Sequence, residues 1–79
     1  MGDNIVHLTK LKAKQKAVVR EILGGAEVSK RLGALGIRPG REITMISSHF
    51  WRGPVSVTAG KTKMAIGHGM AHKIMVEVL

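Results

Sequence analysis

Two histidines near the end of the chain are spaced so that they could hold a metal ion together. His68 and His72 stand four positions apart, and if residues 67–73 form a helical turn, both imidazoles project from one face. A closed metal site needs about four ligands, so His49, Glu77 or a second molecule would have to supply the others. The alternative is a pair of surface histidines near a turn. We therefore assign no metal ligands from the sequence and keep the pair as a candidate for weak divalent metal binding.

A second group of candidate residues surrounds the single phenylalanine and the single tryptophan of the chain. Phe50, Trp51 and Arg52 follow one another in a predicted loop. Exposed aromatic residues beside arginine are favoured anchors at protein interfaces, so we predict that these three residues contact a protein partner, together with Arg31 and Arg38. The alternative is that one of the two rings covers the open end of the core.

Groups that could support catalysis are not arranged for it in the sequence. The single aspartate, Asp3, lies in the N-terminal tail, and no serine is placed with a histidine and an acid. Gly24 and Gly25 precede a predicted helix without the lysine and serine or threonine of a phosphate-binding loop. We therefore predict that the protein is not an enzyme, takes no small-molecule substrate and needs no cofactor.

The charge balance of the chain is strongly positive. Thirteen Lys and Arg residues against five Asp and Glu give a formal net charge of +8, which attracts polyanions or acidic protein faces. If one segment is extended, four alternating lysines share a side: Lys10, Lys12, Lys14 and Lys16. Such a row could bind nucleic acid, but aromatic stacking groups are scarce. We favour a solvated basic face over nucleic-acid binding.

The size and composition favour a small binding module. With 79 residues we expect one domain over residues 1–79, in which residues 1–7 form a flexible or edge tail. The absence of cysteine excludes disulfides and thiolate metal sites. The N-terminus lacks a signal-peptide pattern, and no apolar run is long enough to span a membrane. We therefore expect a soluble cytoplasmic protein.

One helix and the turn that follows it are the clearest predicted elements. Apolar residues at spacings of four and three predict a helix from about residue 26 to 35. Its predicted buried face consists of Val28, Leu32 and Leu35. Gly36 can adopt the left-handed conformation that ends a helix, and Ile37 can then fold back onto the last turn. Pro39 and Gly40 predict a type II turn into the next strand.

Short strands account for the rest of the chain. Apolar alternation between Gly and Pro predicts five strands, at about residues 16–22, 41–48, 55–58, 63–66 and 74–79. The predicted core residues on these strands are Val19, Ile43, Met45, Val55, Val57, Ile66, Ile74 and Val76. Strands this short can bury such residues only by curling around one another. The prediction is a mainly β, five-stranded small barrel with the helix after the first strand and a turn or helical turn before the last.

The order of these turn and core residues matches a known family along nearly the full chain. The most specific part is Arg31-Leu32, Leu35-Gly36-Ile37 and Pro39-Gly40. The other matching positions are Leu8, Leu11, Val19, Ile22, Gly24-Gly25, Gly53-Pro54-Val55, Gly60, Met64-Ala65-Ile66, Ala71 and Ile74-Met75-Val76. In this pattern the chain resembles the FeoA family, the small cytoplasmic proteins of bacterial ferrous iron uptake systems.

The resemblance implies an SH3-like barrel and a non-catalytic role in ferrous iron transport. The expected partner is the cytoplasmic GTPase part of the FeoB permease, so any contact with the membrane is indirect. The same fold occurs as the C-terminal domain of iron- and manganese-dependent repressors, which carry a DNA-binding domain ahead of it; we expect none here. Two alternatives stay open: a small basic nucleic-acid-binding barrel, and a metal-responsive interaction module related to the repressor domain.

Overall fold

Six antiparallel strands form a single sheet in this computed structural model, which describes residues 4–47 and 53–79. The strands are β1 (Ile5–His7), β2 (Lys16–Ile22), β3 (Glu42–Ser47), β4 (Val55–Ala59), β5 (Thr62–Ile66) and β6 (Ile74–Val78). Their order in the sheet is β1-β6-β2-β3-β4-β5. Strands β2 to β6 correspond to the five predicted strands with small shifts at their ends, so the mainly β prediction is confirmed.

Strand β1 was not among the predicted strands. It pairs with β6 through Ile5–Glu77, Val6–Val76 and His7–Met75, and it forms one edge of the sheet. The predicted number of five strands was therefore wrong by one, although an edge position was among the expectations for this tail. Three residues are too few for apolar alternation to identify a strand.

Two helices, α1 (Gly25–Ala34) and α2 (His68–Ala71), and a short 3-10 turn, Leu8–Lys10, complete the part of the fold that the structure describes. The end of α1 follows the predicted pattern. Gly36 has a φ of 90°, and the Ile37 amide donates to the Leu32 carbonyl at 2.9 Å, as in a Schellman motif. Ile37 is completely buried. The helical turn expected before the last strand is α2.

The prediction is wrong for one residue of the buried helix face. Leu32 is buried and Val28 packs against the core from a partly buried position, but Leu35 is 49% exposed. The helix ends at Ala34, so Leu35 belongs to the capping turn and leaves the buried face. Ile37 takes the inner position instead, because the turn at Gly36 directs the chain back over the end of α1.

The turn before β3 has the predicted type II geometry. The Arg41 amide donates to the Arg38 carbonyl at 3.0 Å, and Gly40 has the positive φ, 93°, that the third position of this turn requires. Backbone hydrogen bonds also join this turn to Val19 on β2. The turn therefore holds Arg41 at a fixed place beside the sheet.

The core is entirely apolar within the part of the chain that the structure describes, and it contains all eight predicted strand residues. The other buried residues are Leu8, Leu11, Ala17, Leu32, Ile37, Ala59 and Ala71. Register shifts at Arg20 in β2 and at Ile46 in β3 interrupt the regular pairing. Such bulges bend strands, and here they let the sheet curve around one core.

The four alternating lysines do not lie in one extended segment, which was the condition for sharing a side. Residues 11–15 make a turn in which the Gln15 amide donates to the Lys12 carbonyl at 3.0 Å, and Lys14 has a φ of 73°. Lys10 ends the 3-10 turn, so only Lys16 lies in a strand. All four lysines are exposed, but the turn at residues 11–15 interrupts the extended backbone that a single row would need.

Candidate functional site

A straight row of polar side chains crosses four strands on the outer face of the sheet. Lys16 pairs with Thr44, Thr44 with Thr58, and Thr58 with Lys63. The neighbours of these residues within β2, β3 and β4 are buried, and Met64 beside Lys63 packs against the core from a partly buried position, so alternation directs the row outward. The lysines at both ends are exposed and the two threonines between them are partly buried. We call this arrangement the Lys16–Lys63 row.

An open cleft of about 470 Å³ adjoins the middle of this row. Its lining consists of Gly40, Arg41, Glu42, Thr44, Thr58 and Gly60. The guanidinium of Arg41 lies directly over Gly60, in the space that a side chain at residue 60 would take. The cleft is thus bounded by the turn before β3 on one side and by the β4–β5 hairpin on the other. We call it the Arg41 cleft.

Three basic groups on this face can attract an anionic ligand, and one carboxylate, that of Glu42, lines the same cleft. Among residues 4–47 and 53–79 the single ion pair joins Arg20 to Glu77 at 2.6 Å, and Glu77 lies opposite Val18, two positions along β2 from Lys16. Lys16, Arg41 and Lys63 have no carboxylate within ion-pair distance in that part of the chain. Their charges, and the hydroxyl donors of the two threonines, are therefore available to a carboxylate or another anion.

A histidine cluster lies elsewhere, where β1 meets the segment around α2. The rings of His7 and His72 stack with centroids 3.9 Å apart, and His68 follows at 6.3 Å from His72. The Nδ1 of His7 lies 2.6 Å from the His72 carbonyl oxygen, so Nδ1–H donates to it. The structure therefore brings together the predicted pair, His68 and His72, and adds His7, which no local spacing could indicate.

Stacking is a poor arrangement for holding one metal ion. The planes of His7 and His72 differ by 6°, so their in-plane lone pairs run side by side and do not converge on one point. Among the described residues no group of three or more His, Cys, Asp or Glu side chains is placed to hold a metal. Glu77, a suggested further ligand, pairs with Arg20, and His49 lies outside those residues.

The cluster does change the chemistry of His72. Its pKa is lowered from the usual value of 6.5, chiefly by the charge that His7 can carry, and further by desolvation, by His68 and by Lys10. Three imidazoles and a lysine at this place make a second proton unfavourable. His72 is thus harder to protonate in the folded protein than a free imidazole.

A family model described as the FeoA domain matches residues 6–78. The chain belongs to the FeoA domain family. A Methanocaldococcus jannaschii protein provisionally named Fe(2+) transport protein A is 35% identical over 66 residues, which cover 84% of this chain and 78% of that protein. The crystal structure of an iron uptake regulatory protein (FeoA) is also 35% identical, with a TM-score of 0.89, and the match covers 95% of this FeoA chain and 99% of the other.

A more distant neighbour has the same fold in a longer protein. A manganese-dependent transcriptional repressor superposes with a TM-score of 0.86 at 17% identity, over 95% of this FeoA chain and 42% of the repressor. At that identity the likeness concerns the fold alone. Together with the FeoA structure it confirms the predicted fold class.

Of the predicted contact residues, the two that the structure describes, Arg31 and Arg38, do not line the Arg41 cleft. Arg31 lies on α1 and is exposed. Arg38 is exposed, and its Nη2 donates to the Gly33 carbonyl at 3.0 Å, so part of its role is to cap α1. Phe50, Trp51 and Arg52 lie outside the described residues.

Sequence reasoning missed the Lys16–Lys63 row and the Arg41 cleft. The members of the row are far apart along the chain, and only strand register places them side by side. Polar residues beside apolar ones in four predicted strands were the available signal. No helix in the described part of this FeoA chain has the length and apolarity needed to cross a membrane.

Proposed function

We propose that this protein is a non-catalytic accessory component of ferrous iron uptake that acts in the cytoplasm by binding the GTPase part of an FeoB-type permease. The observation that carries the proposal is the FeoA domain match over residues 6–78. Two relatives that are each 35% identical carry names that refer to Fe(2+) transport and to regulation of iron uptake. Membership of the FeoA domain family thus supports a role in iron transport. The FeoB-type permease is inferred as the partner from the resemblance to FeoA proteins.

The surface of the protein supports action by binding. The core is apolar and the basic groups beside the Arg41 cleft lack partners within the chain's described residues. An ordinary interface buries about 800 Å² on each partner, whereas the whole accessible surface is 5233 Å². One such interface would leave most of that surface uncovered, as suits an adaptor that adjusts a larger partner.

The direct test is binding of the full chain to the purified cytoplasmic domain of the FeoB protein from the same organism, in its GDP-bound and GTP-analogue-bound forms. We expect a saturable complex and a change in the rate of GTP turnover when the chain is added. An unrelated small GTPase of similar net charge is the control and should not bind.

Two results would contradict the proposal. The first is failure of both the permease domain and membranes containing FeoB to retain the protein. The second is strong binding to oligonucleotides that falls steeply with salt without any binding to the permease domain, which would favour the nucleic-acid-binding alternative.

A further inference from the structure

We propose that the Lys16–Lys63 row and the Arg41 cleft form a docking site for an acidic, extended segment of a protein partner. This inference rests on the proposed function, because it names the chemistry of the partner surface that the protein would bind. The proposed ligand binds the outer face of strands β2 to β5 and carries carboxylates at alternate positions.

The spacing of the row supports an extended ligand. Neighbouring strands lie about 4.8 Å apart, so the backbones at Lys16 and Lys63 are about 14 Å apart when followed along the curved face across three strand intervals. In an extended peptide, residues i and i+4 lie about 13 Å apart on the same side. Carboxylates at these two positions would reach the two lysines, and a third at i+2 would lie over the threonine pair, Thr44 and Thr58.

The Arg41 cleft gives that central carboxylate a specific position. A guanidinium binds a carboxylate through two parallel hydrogen bonds, and no carboxylate within the described ranges pairs with Arg41. The Thr44 and Thr58 hydroxyls line the same cleft and can donate to the same ligand. Contact with the hairpin at Gly60 limits where the guanidinium can move, which lowers the entropy lost on binding.

The remaining charge on the face favours a protein over a nucleic acid. Glu42 lines the cleft beside Arg41 and would repel the continuous negative charge of a phosphate backbone. A protein segment can place a neutral or basic residue opposite Glu42. The residues of the row and the cleft include no aromatic ring on which a base could stack.

The test uses the full chain and a 12-residue peptide with glutamate at alternate positions, and the matched peptide with glutamine in its place. Binding is measured by calorimetry and by the amide NMR signals of residues 44, 58 and 63. We expect Lys16→Gln or Lys63→Gln to weaken binding about two- to fivefold, and Arg41→Gln about tenfold or more. Lys30→Gln on α1 makes the same charge change away from the row and should alter affinity less than about twofold.

Several outcomes would overturn the inference. If Lys30→Gln weakened binding of the acidic peptide as much as the row variants do, the peptide would be responding only to the net charge of the protein. Equal binding of the glutamine peptide would exclude carboxylate recognition, and tighter binding of an oligonucleotide through the same residues would make the face a nucleic-acid site. If the permease domain binds the protein and the row variants bind equally well, the inference alone is wrong. If the acidic peptide binds through the row and the permease domain does not bind, the proposed function alone is wrong.

Discussion

The imidazole rings of His7 and His72 stack with their centroids 3.9 Å apart and their planes within 6° of each other. The hydrogen bond from His7 Nδ1 to the His72 carbonyl, 2.6 Å long, reinforces this contact. It joins the edge strand β1 to the end of α2, across 65 positions of the sequence. Two stacked imidazoles are compatible with one positive charge and unfavourable with two.

We predict that stability falls as the pH drops below about 6.5. The charge of His7 is the main cause that lowers the pKa of His72 in the folded protein, followed by desolvation, His68 and Lys10, whereas the unfolded chain keeps a value near 6.5. Between these two values the unfolded chain binds more protons, so the contribution of His72 is fully present above about 6.5 and is lost as the pH falls. Urea unfolding at pH 7.5, 6.5, 5.5 and 5.0 would measure it.

The matched variants for this prediction are His72→Gln and His68→Gln. The first removes the titrating group and should flatten the decline of the unfolding free energy between pH 7 and pH 5. The second removes a lesser cause of the shift and should reduce the decline only in part. An unchanged pH dependence in His72→Gln would show that other groups control acid stability.

The two leucines at the end of α1 should differ sharply in their contribution to stability. Leu32→Ala empties a buried position and should lower the free energy of unfolding by about 2–5 kcal/mol. Leu35→Ala removes a side chain that is 49% exposed and should cost less than about 1 kcal/mol. Chemical denaturation of both variants measures the difference. Similar losses of unfolding free energy would show that Leu35 contributes to the core as much as Leu32 does.

Two glycines of the same region should respond in opposite directions to alanine. Gly36 has a φ of 90°, a backbone conformation that is strained for alanine even though the space around this residue is open; we expect Gly36→Ala to lose about 1–2 kcal/mol. Gly33 lies inside α1 with nothing within 4 Å of an added Cβ, so Gly33→Ala should gain about 0.5–1 kcal/mol. Thermal unfolding of the pair would show shifts of opposite sign.

Trp51→Ala tests the predicted contact surface, which lies outside the described residues. If Trp51 is an interface anchor, the variant should lose affinity for the permease domain by about tenfold or more and keep its thermal stability. If the ring belongs to the core, the variant should unfold at a clearly lower temperature and bind as before. Phe50→Ala, measured in the same way, shows which of the two rings has each role.

Local patterns in the sequence were sufficient for most of the fold. Apolar alternation identified the buried strand residues from Val19 to Val76, and glycine chemistry at Gly36 identified the end of α1. Strand β1 and the contact of His7 with His72 depend on pairing between the two ends of the chain, which no local pattern contains. The Lys16–Lys63 row likewise depends on register across four strands.

The bulge in β2 shows that this strand is one residue longer than its pairing with β6 requires. Val19 pairs with Val76, Glu21 with Met75 and Ile22 with Ile74, so Arg20 alone has no partner position opposite it. A chain lacking residue 20 could keep each of these pairs, with the same side chains inward, and would differ in the bend of the strand. The bend at this place thus follows from one extra residue in β2 and not from a particular side chain.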